Sequence, residues 1–167
     1  DHAGTTPMRS RKDALITGMK IINKIHNWVS NLDDDTSVTF GKFSTIPNTI
    51  NVVPGKVTFT IDIRHPDKKS LYQRVDKVKE IILNIASYED VPEQIEDVSF
   101  IEPVLFSERL VRVIEEICQE KSYSYHTMYS GAGHDAMYMN NLGETVMIFV
   151  PSIDGKSHCE EEETRWS

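Results

Sequence analysis

The sequence predicts a two-part α+β chain. Residues 1–102 form a ferredoxin-like unit, an antiparallel sheet with two helices on one face, and residues 103–167 form a partial α/β segment. Three observations point there. Two stretches carry apolar residues at helical spacing, 9–31 and 68–87. Between them, "KVTFTIDIRH" alternates strictly, the pattern of a strand with one face on a core. Late in the chain, "ETVMIFVP" is continuously apolar, as in a strand buried on both faces of a parallel sheet.

Taken in order, the first helix presents Leu15, Met19, Ile22, His26 and Val29 on one face, opened by Thr5 or Thr6 with Pro7 and closed by "NLDDD". "SVTFGKFSTI" has strand composition, with Gly41 a candidate bulge. "INVV" leads to a turn at Pro54-Gly55. In the strand that follows, Val57, Phe59, Ile61 and Ile63 face the core, which leaves Asp62 and Arg64 on the open face. The second helix carries Leu71, Val75, Val78, Ile82 and Ile85, and "EQIEDVSFIEP" is expected as the last strand of the sheet. A third helix, Ser107 to Lys121, has Ser107 as its cap. "YSYHTMYS" is expected as a short strand running into the glycine loop "SGAGHDA", and the run Glu160 to Glu163 as the negative start of a helix.

Composition narrows the function classes. The 167 residues carry a formal charge of −8, with no Lys/Arg cluster, which argues against nucleic-acid binding. No apolar stretch has membrane-spanning length. Cys118 and Cys159 form no C-x-x-C pair and no signal peptide precedes them, so a reducing, cytoplasmic setting is expected. The opening has neither a start methionine nor an apolar leader, and both ends look truncated.

Several residues could carry chemistry, each beside a plainer reading. His2 lies in a polar turn, where a lone histidine is most often a solvated surface residue. Arg64 offers a two-pronged donor fork suited to a carboxylate, or a salt bridge with Asp62 two residues away. Asn51 precedes a hairpin, where turn chemistry is common. His134 follows Gly131-Ala132-Gly133, small residues that let a backbone approach a ligand. His158 follows the apolar strand by a short loop, and ligands gather at the carboxyl ends of such strands. Cys159 is more readily a small buried side chain than a ligand.

Four stretches, "DHAGTTPMRSRKDAL", "NTINVVPGKVTFTIDIR", "SGAGHDA" and "PSIDGKSH", occur in an order and spacing that resembles the M20-type metallo-amidohydrolases acting on N-carbamoyl groups. These are the N-carbamoyl-L-amino-acid hydrolases, allantoate amidohydrolases and β-ureidopropionases. The resemblance implies a lid and dimerisation domain over 1–102 and part of a metallopeptidase-like catalytic domain over 103–167. It implies that His2 stabilises an oxyanion, reaching into the partner subunit of a homodimer, that Asn51, Arg64, Gly133 and His134 bind substrate, and that His158 is a metal ligand with Glu162 behind it. Glu160 stands where the usual pattern has proline.

Two divalent metals, zinc or manganese with cobalt or nickel as further options, would serve the full-length enzyme. They would activate water against the ureido carbonyl of a small carboxylate-bearing substrate. The family's remaining ligands and its glutamate base precede the lid, so this chain alone is expected to hold no stable metal and to be inactive. An M20 peptidase or aminoacylase fragment and a non-catalytic dimerisation module are the competing readings.

Overall fold

The computed structural model describes residues 1–165. The chain divides into two compact units, Asp1–Pro103 and a second that begins at Val104.

The first unit is built on two helices and a bent ribbon. Helix α1 spans Ala14–Ser30, after a short 3₁₀ turn at Met8–Ser10. The helix starts later than the sequence predicts, because Asp13 rather than Thr5 or Thr6 caps it: its carboxylate accepts from the Ile16 N–H at 3.1 Å. The buried face is also one residue out of step with expectation. Ala14, Thr17, Gly18, Ile21 and Ile25 are buried, whereas Met19 and His26 are exposed. Gly18 explains the shift, since a Cβ there would lie 2.9 Å from Val57 Cγ1. Only glycine lets the strand cross the helix so closely. A glycine therefore occupies the contact that hydrophobicity alone assigns to a larger side chain.

Four short strands follow: β1 Ser37–Thr39, β2 Phe43–Ile46, β3 Lys56–Phe59 and β4 Asp62–Arg64. β1 pairs antiparallel with β4, matching Val38 to Ile63, and β2 pairs antiparallel with β3, matching Phe43 to Phe59. The ribbon breaks at Gly41. There the Lys42 N–H donates to the Thr60 hydroxyl at 3.1 Å instead of to a ladder carbonyl, and the Thr60 N–H donates to the Lys42 carbonyl. The predicted alternation holds across the break: Val57, Phe59, Ile61 and Ile63 are half-buried, and Thr58, Thr60, Asp62 and Arg64 are exposed.

Helix α2, Lys68–Tyr88, is capped by Asp67, which accepts from the Ser70 N–H at 2.7 Å. Leu71, Val78 and Ile81 are buried along it; Val78 and Ile81 meet Ile21 and Ile25 of α1, and Phe59, Ile61 and Ile63 of the ribbon pack on this cluster. Ile25 is fully enclosed, at 0% exposure. The helices thus cover one face of the ribbon, as the alternation requires.

The ferredoxin-like expectation holds only in its helix–strand–strand–helix order. The ribbon forms two two-stranded sheets rather than one sheet. "EQIEDVSFIEP" forms no strand: its apolar side chains Val98 and Ile101 are exposed, and its contacts are made by side chains, Phe100 stacking on Tyr72 and Glu102 pairing with Lys68.

The second unit holds helix α3, Glu108–Glu120, and a single turn of helix, α4, Ala136–Met139. Ser107 caps α3 as expected, accepting from the Leu110 N–H at 3.3 Å. "YSYHTMYS" and "ETVMIFVP" form no strands, and Ile148 and Val150 are 71% and 66% exposed. A strand of a parallel sheet is buried only by neighbours on its edges and helices on its faces. Among the described residues no strand flanks this one. The run Glu160 to Glu163 forms no helix, and Cys159 is exposed rather than buried. Both cysteines are free thiols. Among the described residues no helix is long and apolar enough to cross a membrane.

Candidate functional site

In the first unit the backbone draws His2 and Asn51 together. His2 and Val52 form an isolated antiparallel bridge, in which the Ala3 N–H donates to the Asn51 carbonyl at 2.9 Å and the Val53 N–H to the Asp1 carbonyl at 2.8 Å. The turn after His2 closes on itself, the Thr6 N–H donating to the His2 carbonyl at 3.2 Å. The Gly4 N–H donates to His2 Nδ1 at 3.0 Å. With Nδ1 accepting, a neutral His2 ring carries its proton on Nε2, the nitrogen left to donate elsewhere. Gly4 makes this possible, because a Cβ there would come within 3.3 Å of the imidazole Cε1.

One residue in this assembly carries no chemical motif of its own in the sequence. Arg11 donates from Nε to the Thr6 carbonyl at 3.0 Å and from Nη2 to the Ala3 carbonyl at 2.5 Å, fastening both ends of the His2 turn. Its only advance signal is its place two residues before the cap of α1, inside the first of the four motifs.

Arg64 stands at the end of β4 on the exposed face, and its guanidinium grips Asp62. Nη2 lies 2.7 Å from Asp62 Oδ2, and Nε lies 3.1 and 3.3 Å from the two carboxylate oxygens. The hydrogen bonds from Arg64 hold the Asp62 carboxyl below the usual carboxylate range, and Asp62 in turn raises Arg64. The plainer reading of Arg64 as a salt-bridge partner is therefore what the structure displays.

A further polar cluster joins the segment between α1 and β1 to α2. Asp34 accepts from the Thr36 N–H at 2.9 Å and from Arg74 Nη2 at 2.6 Å, and hydrogen bonds from Thr36 and Arg74 hold its carboxyl far below the usual range. Arg74 also sits 5.9 Å above the Trp28 ring, so the cluster secures α2 against the end of α1.

In the second unit, His134 is held by two contacts. Its Nε2 shares a 2.8 Å hydrogen bond with Ser130 Oγ, and its ring meets Phe149 edge-on at 5.5 Å. The Ser130 hydroxyl also accepts from the Ala132 N–H at 3.2 Å, so that N–H serves the loop itself. A Cβ on Gly133 would meet nothing within 4 Å, so packing in this unit does not demand glycine there. His158 is exposed and takes a left-handed backbone, φ 58°, uncommon for a residue with a side chain. Glu162 steadies it by accepting from the His158 backbone N–H at 2.9 Å.

The predicted residues thus divide between the units: His2, Asn51 and Arg64 in the first, Gly133, His134 and His158 in the second. Among the described residues no group of three or more His, Cys, Asp and Glu side chains is placed to hold a metal ion. A two-metal centre needs several protein ligands for each ion, and the residues present do not fit one by themselves.

The four motifs, the capped two-helix unit and the histidine-bearing loops define a class before any individual relative. The chain belongs to peptidase family M20/M25/M40, whose family model matches residues 5–167. Among curated relatives it is 39% identical to the allantoate amidohydrolase of Escherichia coli (strain K12) and 34% identical to the N-carbamoyl-L-amino-acid amidohydrolase of Paenarthrobacter aurescens. Each alignment covers 98% of this chain and 40% of the relative. A solved structure, the amidase of the hydantoinase/carbamoylase family from Burkholderia multivorans, superposes with a TM-score of 0.91 at 34% identity, over 99% of this chain and 40% of that one. The chain therefore spans about 40% of the length of the curated relatives it matches.

Proposed function

We propose that the protein to which this chain belongs hydrolyses the C–N bond of a small ureido substrate bearing a carboxylate, allantoate or an N-carbamoyl-L-amino acid. The observation that carries this reading is the bridge seating His2 beside Asn51, with His2 Nε2 left as the donating nitrogen. A neutral imidazole N–H of fixed orientation suits an oxyanion that forms only in the transition state, because it needs no rearrangement when charge develops. The similarity to an allantoate amidohydrolase and to an N-carbamoyl-L-amino-acid amidohydrolase supports the substrate class.

In this reading Asn51 contacts the substrate, and Arg64 holds its carboxylate by exchanging the Asp62 partner for it. Gly133 and His134 also contact substrate, and His158 is a metal ligand steadied by Glu162. Residues 1–102 act as a lid of ferredoxin-like type that pairs two subunits, and residues 103–167 act as part of the catalytic domain. One histidine does not make a metal centre, so this chain alone is expected not to turn over substrate. The metals, zinc or manganese in our reading, belong to the whole protein, which works in the cytoplasm. The two free thiols support that setting.

The test is ammonia release by the full-length gene product from allantoate and from N-carbamoyl-L-amino acids, with Arg64→Ala in parallel. Turnover that weakens for carboxylate-bearing substrates in the variant supports the reading. Absence of turnover on every ureido substrate, with the metal supplied, rejects it.

A further inference from the structure

We propose that Arg11 is a positioning residue that fixes the orientation and tautomer of His2. This rests on the reading of His2 as an oxyanion donor. The guanidinium is partly buried and donates from two different nitrogens to two carbonyls, Thr6 by Nε at 3.0 Å and Ala3 by Nη2 at 2.5 Å. Those carbonyls bracket the segment whose Gly4 N–H donates to His2 Nδ1. On its other side the same segment is tied to the Asn51–Val53 segment through the Ala3 and Val53 N–H groups.

Each tie acts on a different degree of freedom. The bridge to Val52 sets where the His2 backbone lies. The Thr6 N–H to the His2 carbonyl closes the turn. Neither fixes the direction of the Gly4 N–H, which depends on the rotation of the Ala3–Gly4 peptide unit. That peptide contains the Ala3 carbonyl, and the carbonyl is held by Arg11 Nη2. Carbonyl and N–H of one planar peptide point in opposite directions. By holding the Ala3 oxygen, Arg11 therefore aims the Gly4 N–H at Nδ1 and leaves the His2 proton on Nε2. The backbone of Arg11 is itself anchored, its N–H donating to the Met8 carbonyl just before the cap of α1. A lysine supplies one donating centre rather than a planar fork and cannot hold both carbonyls in this geometry.

The experiment uses the full-length enzyme with whichever of allantoate and N-carbamoyl-L-amino acid it turns over. Arg11→Met, Arg11→Lys, His2→Ala and the His2→Ala/Arg11→Met double variant are compared by kcat and KM. Nitrogen-15 spectra of the His2 ring are recorded alongside. Arg11→Met is expected to lower kcat about 100-fold, the order of loss that misplacing a reacting group brings, with KM changed less than about threefold. Arg11→Lys is expected not to restore it. The double variant is expected to be no slower than His2→Ala, since Arg11 acts through His2. The ring is expected to lose its preference for the proton on Nε2 in both single Arg11 variants.

A wild-type tautomer signature in both Arg11 variants overturns the proposal. So does a double variant slower than His2→Ala by the full Arg11→Met factor. If His2→Ala alone keeps wild-type kcat, the oxyanion role of His2 fails, and the spectra then decide the positioning role of Arg11. If Arg11→Met does not fold, the ring spectrum of Arg11→Lys decides instead: a lost Nε2 preference supports the proposal, and a retained one overturns it.

Discussion

Replacing Asp62 by asparagine should tighten the binding of carboxylate substrates, because in the resting structure Asp62 occupies the guanidinium that the substrate is proposed to use. The magnitude follows from the geometry. The pair is bidentate, with its shortest contact at 2.7 Å, but the Arg64 and Asp62 side chains are 51% and 49% exposed. Water and salt screen a pair of that exposure, so it is worth roughly 0.2–1 kcal/mol despite its good angles. Asparagine keeps the shape and removes the charge, and relief of that competition lowers KM by about 1.5- to 5-fold. Hydrogen bonds from Arg64 depress the Asp62 carboxyl, so the pair is intact throughout the neutral range and the effect should not vary with pH there. The assay is initial-rate ammonia release against substrate concentration for wild type, Asp62→Asn and Arg64→Ala of the full-length enzyme, at low and at physiological salt. A rise in KM for Asp62→Asn would refute the reasoning. It would mean that Asp62 orients the guanidinium for substrate rather than competing with it.

Two further predictions concern stability. Gly18→Ala gains about 1 kcal/mol of helix propensity. It also drives a methyl to 2.9 Å from Val57 Cγ1, on a β-branched side chain with little rotamer freedom. Overpacking of this kind costs about 1–3 kcal/mol, so the net change is a loss of up to about 2 kcal/mol. Adding Val57→Ala should recover part of it, as read from urea midpoints followed by helical circular dichroism; a stabilised single variant would show that Val57 yields freely. In the second unit, Glu144 is lowered from its ordinary 4.5 to about 2, first by the hydrogen bonds from Arg109 and then by Ser107. A depressed carboxyl contributes stability above its unfolded pKa, and that contribution is lost as pH falls from 4.5 toward about 2. Glu144→Gln should flatten the thermal stability of the chain across that window, the more so at low salt, and an unchanged profile would rule the pair out as a stabiliser.

The parts of the fold legible in the sequence are those whose burial is decided locally. "KVTFTIDIR" alternates because one side of a ribbon meets helices, and that pattern survives the break at Gly41. The caps Asp67 and Ser107 sit immediately before apolar periodic stretches, which is why Ser107 is legible as a cap from the sequence. The face of α1 is not legible in the same way, because it is set where Gly18 meets Val57 and Phe59 of β3, a close approach that a small residue allows and hydrophobicity does not signal. "ETVMIFVP" is apolar enough for a buried strand, but burial of a strand depends on neighbours, and none flanks it among the described residues. At the candidate site, His2, Asn51 and Arg64 are recognisable through their motifs. The Asp62 partner of Arg64 is visible from spacing alone. The bridge joining His2 to Val52 spans about fifty residues of sequence and leaves no periodic trace.

That bridge also gives α1 a part in the chemistry proposed for His2. The Ala14 N–H, the first of the helix, donates to the Pro54 carbonyl at 3.1 Å, one residue beyond the Val53 whose N–H holds the Asp1 carbonyl. Arg11, two residues before the cap of that helix, holds the Ala3 and Thr6 carbonyls. The His2 turn is therefore suspended between two lines that both end at the N-terminus of α1. One turn further along, Gly18 sets how closely that helix lies against β3. A methyl at Gly18 pushes the helix from the ribbon and pulls on both lines at once. Its effect on kcat should then exceed its effect on KM, because displacement of a donor is felt most where charge develops. Packing that looks purely structural in α1 is in this way continuous with the orientation of an exposed histidine.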